Sequence, residues 1–242
     1  MHSPVKRLVP GADAAVLFVH GILSTPRYWA DFIAATPQNV SVHALLLPGH
    51  GGTVPDFGHV RWGAWQKQVT DAIAELCRTH AKVYVVAHSL GTLLTVNALA
   101  DAPYSVTGLM FIAMPLHIRV KPQALIGNIL KGVGLTENPE SLASYYGTEQ
   151  DWRIWRYISW PPRYLELFSQ SAAARRNFPR LTIPAQVFMA PGDELVSMRS
   201  CRVIQTCAAA SLTMLPASRH HTFGEQDHAL LLSRYRSMCG FD

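Results

Sequence analysis

Six short apolar runs, separated by longer segments of helical pattern, constrain this chain more than any other feature. They are AVLFVHG (15–21), SVHALLLPG (41–49), KVYVVAHS (82–89), SVTGLMFIAM (105–114), AQVFMAPGD (185–193) and SLTMLPAS (211–218). Most are continuously apolar rather than alternating, the pattern of strands covered on both faces of a parallel sheet. Segments 25–36, 60–81, 89–102, 196–210 and 223–239 have the length and spacing of helices. Alternating strand and helix imply an α/β chain, a mostly parallel, doubly wound sheet with helices on both faces. No internal repeat is visible, and 242 residues suffice for one domain, 1–242, around one large core.

The alternation fails once, between Pro115 and Pro184. That stretch holds LIGNILKGVGL and YYGTEQDWRIWRYISWPPRYLELF, with three of the six tryptophans, Trp152, Trp155 and Trp160. Loops of such length without structure of their own are uncommon, so residues 115–183 read as a small, mainly helical insertion. Pro161 and Pro162 are expected to separate one of its helices from the next.

Composition removes several classes. With 49% hydrophobic and 15% charged residues, the chain is not of the disordered type. The N-terminus lacks the apolar core of a signal peptide, and no apolar stretch approaches 18 residues, so neither export nor a membrane span is expected. Four cysteines without a CxxC pair suit a reducing compartment, and a soluble cytoplasmic protein is the expectation. The net charge is +5, with nine basic against five acidic residues in 115–183. The positives are scattered without a run of four, which reads as a solvated surface and not as a nucleic-acid site.

Chemistry concentrates where strands end. Ser89 sits between the strand KVYVVAH and the helix LGTLLTVNALA, flanked two residues away by Ala87 and Gly91. A nucleophile on such a turn takes a strained backbone that lifts its hydroxyl clear of the sheet, and small flanking residues let the turn close. A serine hydroxyl needs a base, and the base needs an orienting acid. Asp193 follows a later strand directly after Gly192, which favours it over Glu194; His220 and His221 follow the last strand. An oxyanion hole would use the backbone amides of Ile22 and Leu90, with Gly21 allowing close approach and His20 bracing the loop. His88 is expected to point away from the substrate and to be structural.

Together HGILSTP, PGHGGT, AHSLG, GDELV and SRHHTF resemble the α/β-hydrolase superfamily in motif, order and spacing over nearly the whole chain. The short start before the HG loop and the 115–183 insertion look like the bacterial carboxylesterase and monoacylglycerol lipase group. That resemblance implies a small helical cap inserted before the strand that precedes the catalytic Asp. It also implies a Ser89, Asp193, His220 triad, since similar families place the His two residues after a serine, here Ser218. The implied activity is hydrolysis of short to medium acyl esters, monoacylglycerols and lysophospholipids among them, without a cofactor. An aromatic cap would give an apolar wall, with Trp152, Trp155 and Trp160 as pocket candidates; separately, the basic charge of the 115–183 stretch would favour transient contact with an anionic lipid surface.

The same residues admit other readings. A thioesterase or acyl-amide hydrolase would use the same triad. A ligand-binding protein that had lost its chemistry would be marked by a missing triad member, and none is missing. His220, His221, Asp227 and His228 form a ligand-like set, but adjacent histidines rarely converge on one ion and no HExxH pattern supports them, so no metal site is expected. Asp227 suits the first turn of the last helix. The sequence leaves the oligomeric state open.

Overall fold

A computed structural model describes residues 2–101, 104–119 and 153–241. Seven strands form one sheet: β1 (Val5–Arg7), β2 (Ala14–Val19), β3 (Ser41–Ala44), β4 (Lys82–His88), β5 (Gly108–Ile112), β6 (Ala185–Met189) and β7 (Ala210–Met214). Their order is β1-β3-β2-β4-β5-β6-β7. Every pairing is parallel except β1 with β3.

The continuous apolar runs have a direct structural reading. Successive side chains of a strand point to opposite faces. In β4, Val83, Val85 and Ala87 enter one core, and Tyr84 and Val86 enter the other. In β2, Ala15, Leu17 and Val19 divide from Val16 and Phe18 in the same way. Both cores need apolar residues, so alternation disappears from the central strands.

Helices cover the two faces: α1 (Ala30–Ala34), α2 (Val54–His59), α3 (Trp62–Thr79), α4 (Leu90–Asp101), α5 (Pro161–Asn177), α6 (Arg199–Ile204) and α7 (Glu225–Cys239). α3 buries Trp62, Trp65, Val69, Ala72, Ile73 and Leu76, the stripe of a helix with one wet face. α4 is different, since residues 90–99 are all buried. Its polar members are satisfied locally, Thr92 Oγ1 donating to the Ser89 carbonyl (2.7 Å) and Thr95 Oγ1 to that of Gly91 (2.8 Å).

The six expected strands are present, each trimmed where its end enters a loop. β1 was not anticipated: only three residues long and largely exposed, it has no apolar run and exists by pairing with the β3 edge. α2 was also unforeseen, because its sequence VPDFGH carries Pro55 and Gly58; a Thr53–Asp56 capping box starts it. The helix expected over 196–210 is confined to Arg199–Ile204.

Of the 115–183 segment, the described part holds a 3-10 turn (Ile154–Ser159), α5, and a second 3-10 turn (Phe178–Arg180). Pro161 and Pro162 occupy the first turn of α5, so they start that helix, a position where a missing N–H costs nothing. Among the described residues, no helix is long and apolar enough to cross a membrane.

Candidate active site

Three non-glycine residues among those described have left-handed backbone: Leu23 (φ 59°), Ser89 (φ 48°) and Ala113 (φ 53°). They follow the carboxyl ends of β2, β4 and β5, neighbouring strands of the sheet. Such conformations cost of order 1–3 kcal/mol each and persist only where packing enforces them. At Ser89 the enforcement is visible, because its amide donates to the Ile112 carbonyl (3.0 Å) and its own carbonyl receives Thr92.

Two glycines bring the β2 loop against this turn. A Cβ at Gly91 would lie 2.4 Å from the Val19 carbonyl oxygen and 2.9 Å from that of His20. One at Gly21 would meet His88 Nδ1 at 2.7 Å and Ser89 Cβ at 3.2 Å. The backbone carrying Ile22 therefore packs directly on the serine. Leu90 opens α4, and the first amides of a helix have no intrahelical acceptor, so its N–H is available to a ligand. His20 ties this loop to the end of β3: its Nε2 accepts from the Leu47 amide (3.0 Å), which leaves Nδ1 to donate to the Gly21 carbonyl (2.8 Å). Burial holds the His20 imidazole well below its usual pKa, so it stays neutral in this tautomer.

Asp193 and His220 meet the serine from the later strands. His220 Nε2 lies 3.1 Å from Ser89 Oγ, and its Nδ1 lies 2.8 Å from Asp193 Oδ2. The second oxygen, Oδ1, accepts from the amides of Leu195 (2.7 Å) and Val196 (2.8 Å). Burial alone would raise the Asp193 carboxyl; His220 and the two amides outweigh it and hold the group below the usual range. Glu194, the alternative acid, is near the His220 backbone amide (3.5 Å) and not its ring. Gly192 is required by close approach: its φ is not left-handed, and a Cβ there would meet the Ser218 carbonyl at 2.7 Å.

The loop bearing His220 is buckled to α7. Asp227 is buried in the first turn of that helix, where its Oδ2 accepts from the Ala217 amide (2.8 Å) and from Ser218 Oγ (2.6 Å). Ser218 Oγ in turn receives the Gly224 amide (3.3 Å), so one carboxylate closes both sides of the loop. This role is invisible in sequence beyond the favourable helix position. It also separates Asp227 from the ligand-like set, as does the pairing of His228 with Asp31 (3.2 Å).

Two further histidines pack against His220. His88 Nε2 donates to the His220 carbonyl (2.9 Å), and its ring lies between those of Tyr28 (4.5 Å) and His220 (4.9 Å). Burial pushes its pKa down to about 3. His221 is set edge-on to His220 at 4.6 Å and is likewise held well below its usual value by burial. Nitrogen atoms of His88, His220 and His221 lie within 4.8 Å of one another. His220 already engages Asp193 and Ser89, so His88 and His221 read as a neutral wall behind its ring.

The tryptophans divide. Trp160 is half-buried, its Nε1 donating to the Val54 carbonyl (2.8 Å) and its ring packed on Phe57 (4.9 Å). Trp155 is 61% exposed. Trp152 lies outside the described residues. A cavity of about 440 Å³ bounded by Tyr84, Gly108, Ala185 and Ala210 opens near the amino ends of the strands, away from Ser89.

Comparison with known proteins agrees with this architecture. No curated protein matches. Among solved structures, a metagenome-derived lipolytic enzyme is 20% identical with a TM-score of 0.74, the match covering 99% of this chain and 97% of that one. A monoacylglycerol lipase from Paleococcus ferrophilus is 16% identical with a TM-score of 0.69, covering 99% of both chains. A haloalkane dehalogenase from Bradyrhizobium elkani is 18% identical with a TM-score of 0.67, covering 98% of both. At these identities the likeness is one of fold. The model of the alpha/beta hydrolase family matches residues 16–233, nearly the whole sheet and all the loops described above, and the chain belongs to that family.

Proposed function

We propose that this hydrolase cleaves carboxylic esters through an acyl-enzyme on Ser89. In the first half-reaction, Ser89 Oγ attacks the ester carbonyl as His220 Nε2 takes its proton, and His220 returns that proton to the departing alcohol. Asp193 holds the imidazole with Nδ1 protonated and stabilises the imidazolium that forms. The negative charge on the carbonyl oxygen falls to the amides of Ile22 and Leu90. Water, activated by His220, then attacks the acyl-enzyme and restores the serine.

The observation that carries this reading is the continuous contact from Ser89 Oγ through His220 to Asp193, at 3.1 and 2.8 Å. The identity of the nucleophile also separates esters from haloalkanes, on which some neighbours act. A hydroxyl that displaced a halide would be left as an alkyl ether, with no carbonyl for water to attack. A hydroxyl that attacks an acyl group gives an ester that water can open.

The substrates proposed are esters of short to medium acyl chains, including monoacylglycerols and lysophospholipids, with Trp160 as part of an apolar wall. The test is hydrolysis of p-nitrophenyl esters from acetate to palmitate by the wild type and Ser89→Ala, alongside matched thioester and amide substrates. Activity that is confined to esters and lost with Ser89 is expected. A Ser89→Ala protein that keeps its turnover overturns the mechanism, and a preference for thioesters or amides overturns the substrate class.

A further inference from the structure

Four of the eight large apolar side chains exposed among the described residues fall within one short stretch: Trp155 (61%), Ile158 (83%), Leu165 (67%) and Phe168 (47%). They lie on the 3-10 turn 154–159 and the first half of α5. The helix is apolar on two faces. Its inner stripe, including Leu167, Ser171 and Ala174, packs inward, with Ser171 Oγ donating to the Pro115 carbonyl (2.6 Å). Its outer stripe runs Leu165, Phe168, Ala172, Arg176 at helical spacing and leads to the exposed Arg180.

This outer face is rigidly mounted. Arg163 is buried, donates to the Val60 carbonyl (2.6 Å) and pairs with Glu166 (3.3 Å); Glu166 also receives the Trp62 amide (3.1 Å). A Cβ at Gly58 would fall 1.8 Å from Ser159 Oγ, so α2 and the 3-10 turn are in direct contact. Ring contacts then run from Trp160 to Phe57 (4.9 Å), His50 (5.3 Å) and His20 (5.0 Å), the histidine that braces the oxyanion loop. An unbroken run of packed rings therefore links the mounting of this face to the loop after β2.

Charge selects the partner. Between residues 153 and 180 the sequence has six arginines and one acid; Arg163 is spent on Glu166 and Arg175 on the Leu116 carbonyl, while Arg176 and Arg180 are exposed on the outer side with no acid beside them in sequence. A second copy of this chain would bring the same positive field and repel. The apolar groups project from a turn and a helix instead of lining a groove, which suits insertion into a soft surface more than docking of a peptide. We propose that the 155–180 face adsorbs to anionic lipid bilayers, with Trp155, Ile158, Leu165 and Phe168 entering the interface and Arg176 and Arg180 meeting the headgroups. Adsorption is read without turnover, so this proposal stands or falls separately from the ester-hydrolase reading.

The experiment is co-sedimentation with vesicles of phosphatidylcholine alone and of phosphatidylcholine mixed equally with phosphatidylglycerol, at low and high salt. The wild type should prefer the anionic vesicles, and salt should weaken the preference. A triple variant, Ile158→Ser, Leu165→Ser and Phe168→Ser, should lose at least about tenfold in partitioning, since three apolar anchors are removed. Its turnover of p-nitrophenyl acetate and its melting temperature should be unchanged, which shows that the loss is one of surface. Arg176→Glu with Arg180→Glu should abolish the anionic preference. The proposal is overturned if the wild type ignores anionic vesicles, or if the triple variant binds them as the wild type does. It is also overturned if the wild type dimerises on a sizing column and the triple variant does not, because the face then belongs to a second copy.

Discussion

Moving from pH 7.5 to 5.5 should destabilise this protein by roughly 5 kcal/mol, through four histidines that folding keeps neutral. His20, His50, His88 and His221 are at most 5% exposed. Burial lowers each of them, His50 to about 4, His88 to about 3, and His20 and His221 well below the ordinary value. In the unfolded chain all four titrate near pH 6.5. As the pH falls below that value the unfolded chain binds protons that the native state refuses, so stability present above about pH 6.5 is lost progressively down to the folded values. At pH 5.5 each histidine costs about 1.4 kcal/mol whatever its exact folded pKa, provided that this lies well below 5.5. For a domain of this size the sum is a fall in Tm of roughly 10–20 °C. Urea titrations followed by near-UV circular dichroism at a series of pH values measure it directly, and their slope at pH 5.5 should report uptake of nearly four protons on unfolding. His50→Gln should remove about a quarter of the effect. A loss below about 1.5 kcal/mol, equivalent to a single histidine, would refute the reasoning.

Ser89→Ala should lower ester turnover on the order of a million-fold with the fold intact, measured with p-nitrophenyl butyrate and a thermal melt. Asp193→Asn should reduce kcat about ten-thousand-fold with a smaller effect on KM, because an amide no longer holds the His220 ring in the tautomer that accepts the serine proton. Gly91→Ala should destabilise by about 3 kcal/mol in urea, since its methyl would meet the Val19 and His20 carbonyls, which are backbone and cannot step aside. Asp227→Asn should lower kcat more than KM and speed hydrogen exchange at the Ala217 amide, whose acceptor is weakened; unchanged exchange would dissociate this residue from the loop.

The central sheet was legible because β2, β4 and β5 feed two cores at once and so advertise themselves as unbroken apolar runs. β1 was not, since Val5, Lys6 and Arg7 make a strand only by lying beside Ala44, His43 and Val42. The serine turn could be read because steric demand there acts through neighbours two residues away. In the sequence, the choice between His220 and His221 rests on resemblance alone, for adjacent residues share their composition and differ only in direction; in the structure the His220 ring is the one beside Ser89 Oγ and Asp193. The buckling by Asp227 joins residues nine and ten positions apart through a fold of the chain, and no local pattern reports it.

The burial of α4 on every side has a consequence for how such a protein can change its substrate preference. Ser89 stands on a strut that has no room to tilt, shift or recoil, so under the proposed mechanism acyl groups of different size must be accommodated elsewhere. Adaptation must then come from the loops that meet Ser89, such as the stretch after β2 that carries Ile22 and Leu23. Laboratory selection for new acyl groups should therefore gather its substitutions there and leave residues 90–99 as they are.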